Sequence, residues 1–198
     1  MSEMVTEQEF VDLFGTIRHE KIKHLLQYIF SQFAPHRVLE MPSSSSGKYH
    51  PADESGEGGF LLHAKRTAKI ANDLARALAL TQYERDILVG SALIHDLFQY
   101  TDNPNSVLKR EDIQTKTEHP KTLSEAIESL GDKLSHEEHL IAKIIKYHMG
   151  QWGPDETPTI WKKIIDNIRR DDLLIILMHL ADYIASRRYI NVDVKEGI

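Results

Sequence analysis

Helical periodicity that follows capping boxes is the feature that most constrains the fold of this chain. Ser/Thr-x-x-Glu patterns begin at Thr6, Thr81 and Ser135. Each precedes a segment in which apolar residues recur every three or four positions, which is typical of an amphipathic helix. The alternating pattern of a β-strand is essentially missing, and no internal repeat is present. The sequence therefore predicts an all-α fold, a single compact helical bundle.

The length of 198 residues favours one domain over residues 1–198. We expect a helix over residues 6–34 to pack on the rest of that domain. The segment 41–59 is rich in Ser, Gly and Pro, and the segment 101–118 is polar, so both are predicted loops. The last long helix, about 172–189, is apolar on most faces and is predicted to lie at the centre.

Composition excludes several kinds of protein. The chain has no cysteine, so disulfides, thiolate metal sites and cysteine nucleophiles are excluded. The acidic N-terminus lacks the order of a signal peptide, and the longest apolar run, Leu173–Met178, is too short to span a bilayer. The net charge of −6 argues against strong general binding to nucleic acid. We therefore expect a cytoplasmic protein without membrane contact. The sequence does not decide whether the chain forms a homodimer.

The pair His95-Asp96 lies near the end of an apolar segment, ILVGSALIHDLFQY. Neighbouring side chains on a helix point about 100° apart, so packing alone does not easily bury both. A buried carboxylate without a partner is costly, and a metal ion is a natural partner for imidazole and carboxylate together. The pair therefore indicates a metal-dependent enzyme with further ligands elsewhere in the chain.

Other candidate ligands lie in different predicted helices, as in metal sites built inside helical bundles. A lone histidine in an amphipathic helix is usually a packing residue, which is the simpler interpretation of each histidine taken separately. Asp182 is harder to explain in this way, because it lies in a nearly apolar helix. The further candidates are His63, His119, His148 and Asp182.

The order His, His-Asp, His, His, Asp resembles that of the HD-domain metal-dependent phosphohydrolase superfamily. The resemblance covers about residues 58–188 and implies an HD metal-binding core there. It implies metal ligands at His63, His95, Asp96 and Asp182, and in members with two metals also at His119 and His148. One or two divalent ions are expected, with Fe, Mn, Co or Ni favoured by the mixed nitrogen and oxygen ligands and Mg or Zn left open.

The resemblance also implies the chemistry. Asp96 and His95 are the expected catalytic residues, with Asp96 bridging two cations and a metal-activated water attacking phosphorus. The expected partner is a small phosphorylated or nucleotide substrate, cleaved at a phosphoester or phosphoanhydride. The segments KIIKYHMG and HLADYIASRR look like the symmetrical diadenosine-tetraphosphate hydrolases, and GGFLLHAKRT is similar to HD domains of 3′→5′ exoribonucleases.

The residues after His95-Asp96 depart from a common pattern of the family. Many relatives have His-Asp-x-Gly-Lys, whereas this chain has Phe98 and Gln99 at the last two positions. Other groups must therefore bind the substrate phosphate. His179 has a different expected role, which is to orient a metal ligand. The candidate substrate contacts are Lys48, His50, Lys65, Arg66, Gln99 and Arg187.

Two alternatives remain open at this stage. The first is a 3′→5′ exoribonuclease-like nuclease, which the lack of an attached nucleic-acid-binding domain in this sequence disfavours. The second is a non-catalytic sensor or scaffold module that keeps the metal site, which the missing Gly-Lys supports.

Overall fold

The computed structural model of the chain describes residues 7–34, 40–43, 48–99, 118–131, 134–190 and 192. Within these residues there are eight α-helices and no strand, which confirms the predicted all-α fold. The predicted loop at 101–118 lies outside them except for its last residue. The helices are α1 (Glu7–Leu13), α2 (Glu20–Phe33), α3 (Gly59–Ala77), α4 (Gln82–Ile94), α5 (His119–Glu128), α6 (His136–Tyr147), α7 (Thr157–Asp166) and α8 (Arg170–Ala185).

Two of the three predicted capping boxes are present. The Thr81 hydroxyl accepts from the backbone N–H of Glu84 at the start of α4, and the Glu84 carboxylate accepts in return from the Thr81 N–H. Ser135 and Glu138 make the same pair at the start of α6. The third box begins at Thr6, which lies outside the described residues. Local sequence therefore fixes the starts of the two helices that end at the candidate site.

The predicted N-terminal helix at 6–34 is divided in the structure. A turn of 3-10 helix at Phe14–Thr16 follows α1, and α2 begins only at Glu20. The reason is a buried carboxylate on α4: Asp86 Oδ2 accepts from the backbone N–H groups of Arg18 and His19 at 3.0 and 2.9 Å. These N–H groups are therefore bound across the fold and do not continue a helix.

Helix α8 lies at the centre and contacts α3, α4 and α6. Its buried face includes Leu174, Met178 and Ala181, as expected for a helix that is apolar on most sides. The C-terminal ends of α4, α6 and α8 and the N-terminal part of α3 meet at one place, where the candidate ligands lie. Among the described residues, no helix combines the length and the apolar character needed to cross a bilayer.

The contact between α2 and α4 depends on a glycine. A Cβ on Gly90 would lie 2.2 Å from Leu26 Cδ1, and Leu26 is fully buried. We therefore expect Gly90→Ala to lower the free energy of unfolding by about 1–3 kcal/mol, because the core must be overpacked or shifted. Denaturant titration measures this loss, with Gly15→Ala as control, since nothing lies within 4 Å of a Cβ at Gly15. Equal stability of the Gly90 variant and the wild type would contradict this packing.

Candidate metal centre

The structure brings the six predicted ligands together, although they come from five regions of the chain. Five of them are buried, and Asp182 is partly exposed. The imidazole rings form a continuous row, with centroids 5.0–5.4 Å apart from one ring to the next. In the order of that row the histidines are His63, His95, His148 and His119.

Two of the histidines occupy the C-terminal ends of helices. His95 caps α4 and His148 caps α6, and in each ring Nδ1 donates to the carbonyl three residues earlier. The distances are 2.8 Å to Ala92 O and 2.7 Å to Ile145 O. Each bond satisfies a carbonyl that the helix leaves open, and it directs Nε2 away from the helix. The C-terminal ends of two helix dipoles, which favour a cation, therefore meet at the centre.

Asp96 joins the histidines into two groups. Its Oδ2 lies 3.4 Å from His95 Nε2 and 3.9 Å from His63 Nε2. Its Oδ1 lies 3.0 Å from His119 Nε2 and 3.5 Å from His148 Nε2. One carboxylate therefore faces a different pair of imidazoles with each of its oxygens.

Asp182 adds a second carboxylate to one of these groups. Its Oδ1 accepts from His63 Nε2 at 3.1 Å and lies 3.8 Å from His95 Nε2. Burial raises the pKa of Asp182, but the hydrogen bond from His63 and the positive charges of nearby histidines outweigh burial, so the net shift is downward. Asp182 is therefore ionised at neutral pH.

The electrostatics of the cluster favour a positive charge at its centre. Burial raises the pKa of Asp96, but the charge of His95 and hydrogen bonds from His119 and His148 outweigh it and hold the pKa well below its usual range. Burial lowers the pKa of His63, whereas its carboxylate partners outweigh that effect and raise the pKa well above its usual range. In addition, His95 Nε2 is buried without a hydrogen-bond partner among the described residues. A divalent cation would satisfy this atom and both carboxylates.

Sequence reasoning missed Glu54, which lies behind His63 and is fully buried. Its Oε2 accepts from His50 Nδ1 at 2.9 Å and lies 3.2 Å from His63 Nδ1, while Oε1 accepts from Arg66 at 2.6 Å. Burial raises the pKa of Glu54, but these three partners outweigh burial and hold the pKa at about 2. A carboxylate in a Ser/Gly/Pro-rich loop carries no periodic signal, so no sequence pattern pointed to it.

The structure changes the interpretation of Arg66. Arg66 is 6 % exposed, and its guanidinium forms ion pairs with Asp53 at 2.7 Å and Glu54 at 2.6 Å. Because both carboxylates neutralise this charge, the expected phosphate contact of Arg66 has no support in the structure. The arginine instead holds Glu54 in place.

A cavity of about 460 Å³ opens beside the ligand cluster and shares Asp182 with it. Arg187 lies on its wall, with the guanidinium carbon 4.1 Å from the centre of the Tyr183 ring and 5.5 Å from that of Tyr49. No carboxylate among the described residues forms an ion pair with this arginine. The remaining lining residues are Met149, Trp152, His179 and Ser186.

Trp152 gives this cavity a flat aromatic wall. Its ring is parallel to that of Tyr183, with centroids 5.6 Å apart and an interplanar angle of 8°. Trp152 is 52 % exposed, which is unusual for a tryptophan that serves only packing. The cavity volume lies in the range of about 300–1,000 Å³ that is usual for small-molecule sites.

His179 stands behind His148. Its Nδ1 donates to the carbonyl of His148 at 2.8 Å, and a Cβ on Gly150 would lie 2.7 Å from its ring. Gly150 has a φ of +58°, so a glycine is favoured at this turn for two reasons. Through these contacts His179 fixes the backbone that carries His148, which supports its expected orienting role.

The other predicted substrate contacts have different surroundings. His50 packs edge-on against His63, with centroids 4.9 Å apart, and binds Glu54. Lys48 is exposed, with Nζ 5.0 Å from the centre of the Tyr49 ring, and Lys65 is half-buried on α3. The oxygen Oε1 of Gln99 is buried and has no hydrogen-bond partner among the described residues. These substrate contacts stay predictions.

Phe98 lies two residues after Asp96, in the turn that follows α4. Its side chain is fully buried and meets Phe33 of α2 edge to face, with centroids 5.3 Å apart. Phe98 therefore anchors the turn after α4 in the core.

Comparison with known proteins gives one match. A family model described as HD domain matches residues 60–187, which include all six clustered ligands. No curated protein and no solved structure matches the chain. Together with the clustered histidines and carboxylates, the family match indicates that the site binds a divalent metal.

Proposed function

This chain belongs to the HD-domain metal-dependent phosphohydrolase superfamily, and we propose that it hydrolyses a phosphoester or phosphoanhydride of a nucleotide-type substrate with a two-ion centre. The observation that carries the proposal is the position of Asp96, whose two oxygens face two different pairs of histidines. A carboxylate in this position is suited to bridge two cations.

The residues present fit a divalent transition metal. The donors are four imidazoles and two carboxylates, a set that suits Fe, Mn, Co or Ni better than calcium. One group would comprise His63, His95 and Asp182, whose candidate ligand atoms lie within 4.8 Å of one another. The other would comprise His119 and His148, and Asp96 would serve both. The unpartnered Nε2 of His95 is an independent sign that the protein alone leaves this donor set unsatisfied.

The chemistry that metal ions held by these residues would supply is a nucleophilic water near neutral pH and stabilisation of charge on the phosphoryl oxygens. The protein contributes position and charge. His95 and His148 are held at helix ends by their Nδ1 hydrogen bonds, so their Nε2 atoms need no rearrangement to bind. Ionised Asp96 and Asp182 provide two of the negative charges that such a centre requires. The chain has no cysteine, and no protein nucleophile is needed.

The cavity next to Asp182 supports a nucleotide as the substrate. Arg187 has no carboxylate partner among the described residues, and its planar guanidinium suits a phosphate group. The exposed face of Trp152 suits a flat ring, and stacking of a base on an aromatic side chain is worth about 1–3 kcal/mol. A phosphorylated compound with a planar base therefore fits the cavity better than a phosphorylated sugar.

Turnover by the purified protein tests the function. With Mn²⁺, Co²⁺ or Ni²⁺ we expect phosphate or nucleotide release from nucleoside mono- and polyphosphates or dinucleoside polyphosphates. Tight metal binding without turnover on any of these, or on short single-stranded RNA, would contradict the enzyme proposal and favour a sensor or scaffold. Turnover of RNA alone would favour the exoribonuclease-like alternative.

Substitutions at the cavity test the substrate class. We expect Trp152→Ala to raise the KM for nucleotides by about 5–150-fold, the equivalent of one lost stacking contact. Hydrolysis of glycerol phosphate, which has no base, should not change. Arg187→Met should raise the KM for both compounds, whereas the matched control Arg188→Met, an exposed neighbour, should change neither. Steady-state kinetics measure these effects, and equal losses on both compounds in Trp152→Ala would contradict base stacking.

A further inference from the structure

Glu54 stands in contact with a predicted metal ligand but outside the set of six. His63, His95 and His148 each have an oxygen atom within 3.2 Å of Nδ1. For His95 and His148 it is a backbone carbonyl, whereas for His63 it is the carboxylate of Glu54 at 3.2 Å. The contact with Glu54 is an ion pair, and His63 Nδ1 is a buried nitrogen with no well-aligned hydrogen bond in the described part of the chain.

We propose that Glu54 is a positioning residue that keeps the proton of His63 on Nδ1, presents Nε2 to the metal and strengthens it as a ligand. An ionised carboxylate can only accept hydrogen bonds, so it selects the form of imidazole that carries hydrogen on the facing nitrogen. Carboxylate partners of this kind orient the ring and raise the basicity of the ligating nitrogen. The inference rests on the proposed metal centre.

The backbone around Glu54 is built to hold this side chain. Its carbonyl accepts from both the N–H and the hydroxyl of Ser43, at 2.9 and 3.1 Å. Its own N–H donates to Pro51 O, which closes a turn of 3-10 helix at Ala52–Glu54. A Cβ on Gly59, the first residue of α3, would lie 1.9 Å from Glu54 O, so a glycine is required for this approach. The loop is therefore locked onto the helix that carries His63.

The cluster of Glu54 with His50 and His63 is not an additional metal site. The three side chains are close enough to hold an ion. However, the guanidinium of Arg66 already lies 2.6 Å from Glu54 Oε1, and His50 Nδ1 donates to Glu54 Oε2 at 2.9 Å. A cation placed there would meet the charge of Arg66 at close range. Hydrogen bonds and the ion pair with Arg66 satisfy the Glu54 carboxylate. Glu54 therefore acts on the metal centre only through its contact with His63.

The direct test compares Glu54→Gln with the matched control Asp53→Asn. Both carboxylates pair with Arg66, but only Glu54 contacts His63. Calorimetric titration of the metal-free proteins with Mn²⁺ should show affinity reduced by about 10–100-fold in Glu54→Gln, which is typical when such a partner is lost. Asp53→Asn should bind as the wild type does. Glu54→Asp, which keeps the charge, should recover part of the loss, and equal affinity in Glu54→Gln and wild type would overturn the proposal.

Nitrogen NMR of the histidine rings gives a readout that a merely structural role would not change. In the wild type loaded with diamagnetic Zn²⁺, His63 should carry its proton on Nδ1. That proton should lie downfield of those of His95 and His148, whose acceptors are neutral carbonyls. In Glu54→Gln the His63 resonance should move toward the other two. A His63 proton on Nε2, or no difference among the three rings in the wild type, would overturn the proposal even if the variant fails to fold.

The two proposals fail in different ways. If the wild type binds no metal, the proposed function fails. The Nδ1 proton of His63 in the metal-free protein then still decides the role of Glu54, because its exchange with solvent should be slowed by the carboxylate. Fast exchange of this proton would overturn the role of Glu54. If instead the wild type binds metal and Glu54→Gln binds it with the same affinity, the role of Glu54 fails while the proposed function stands.

Discussion

Asp96→Asn is expected to reduce metal-dependent hydrolysis by roughly 10³-fold or more, since charge stabilisation by metal ions is worth several kcal/mol. Both oxygens of Asp96 face histidine nitrogens, at 3.0–3.9 Å. An asparagine keeps the shape but replaces one oxygen by an N–H₂ donor and removes the charge. Tight binding of metal by this variant should be lost as well, which metal analysis after gel filtration measures.

A control on the same helix separates this effect from loss of stability. Asp86 is also a buried carboxylate of α4, and it binds the backbone N–H groups of Arg18 and His19. Asp86→Asn should therefore lower the Tm while leaving the metal content and the activity per folded molecule unchanged. Activity of Asp96→Asn similar to that of Asp86→Asn would contradict the central position of Asp96.

The stabilisation of the protein by metal is expected to increase with pH. The pKa of His63 in the folded, metal-free protein is raised well above 6.5, because its carboxylate partners outweigh burial. Its protonated form therefore stabilises the metal-free fold below about pH 6.5, and this contribution is lost as the pH rises through the higher folded pKa. A metal must displace the proton on Nε2, so the apparent affinity should rise by up to about tenfold per pH unit for each proton released.

Thermal unfolding at two pH values measures this dependence. The increase in Tm on adding Mn²⁺ should be larger at about pH 8 than at about pH 6, because fewer protons compete for the imidazoles at the higher pH. Ca²⁺ at the same concentration should give a much smaller increase, since it prefers sites made of oxygen ligands. A Mn²⁺ effect that is constant or falls with rising pH would contradict proton displacement at His63.

The helices were predictable because their signals are local. Thr81 and Ser135 each satisfy N–H groups within one turn, and the apolar period of the same segments shows which face is buried. The N-terminal segment was harder for the opposite reason. Asp86, almost seventy positions away, binds the N–H groups of Arg18 and His19, and no local pattern reveals that contact.

The ligand set was predictable to the extent that its members stand out from their surroundings. His95, Asp96 and Asp182 are polar residues in apolar helices, and their order resembles that of a known family. Arg66 was named as a candidate phosphate contact because it lies one turn after His63 on α3, and that contact stays a prediction. In the structure, Asp53 and Glu54 of the neighbouring loop form ion pairs with the Arg66 guanidinium.

The cavity was only partly predictable, because its walls come from distant segments. Tyr49 belongs to the loop before α3, Trp152 follows α6, and Arg187 follows α8. Arg187 was a candidate substrate contact, but nothing in the sequence places Tyr49 and Trp152 beside it. Contacts of this kind depend on how the helices are arranged, which periodicity does not specify.

A stepwise titration of the metal-free protein with Mn²⁺ tests the central claim most directly, when bound metal and nucleotide hydrolysis are followed in the same samples. The two histidine pairs around Asp96 predict two bound ions per chain, with hydrolysis rising as the second ion binds. Saturation at one ion per chain, or two bound ions without hydrolysis of any nucleotide, would contradict it.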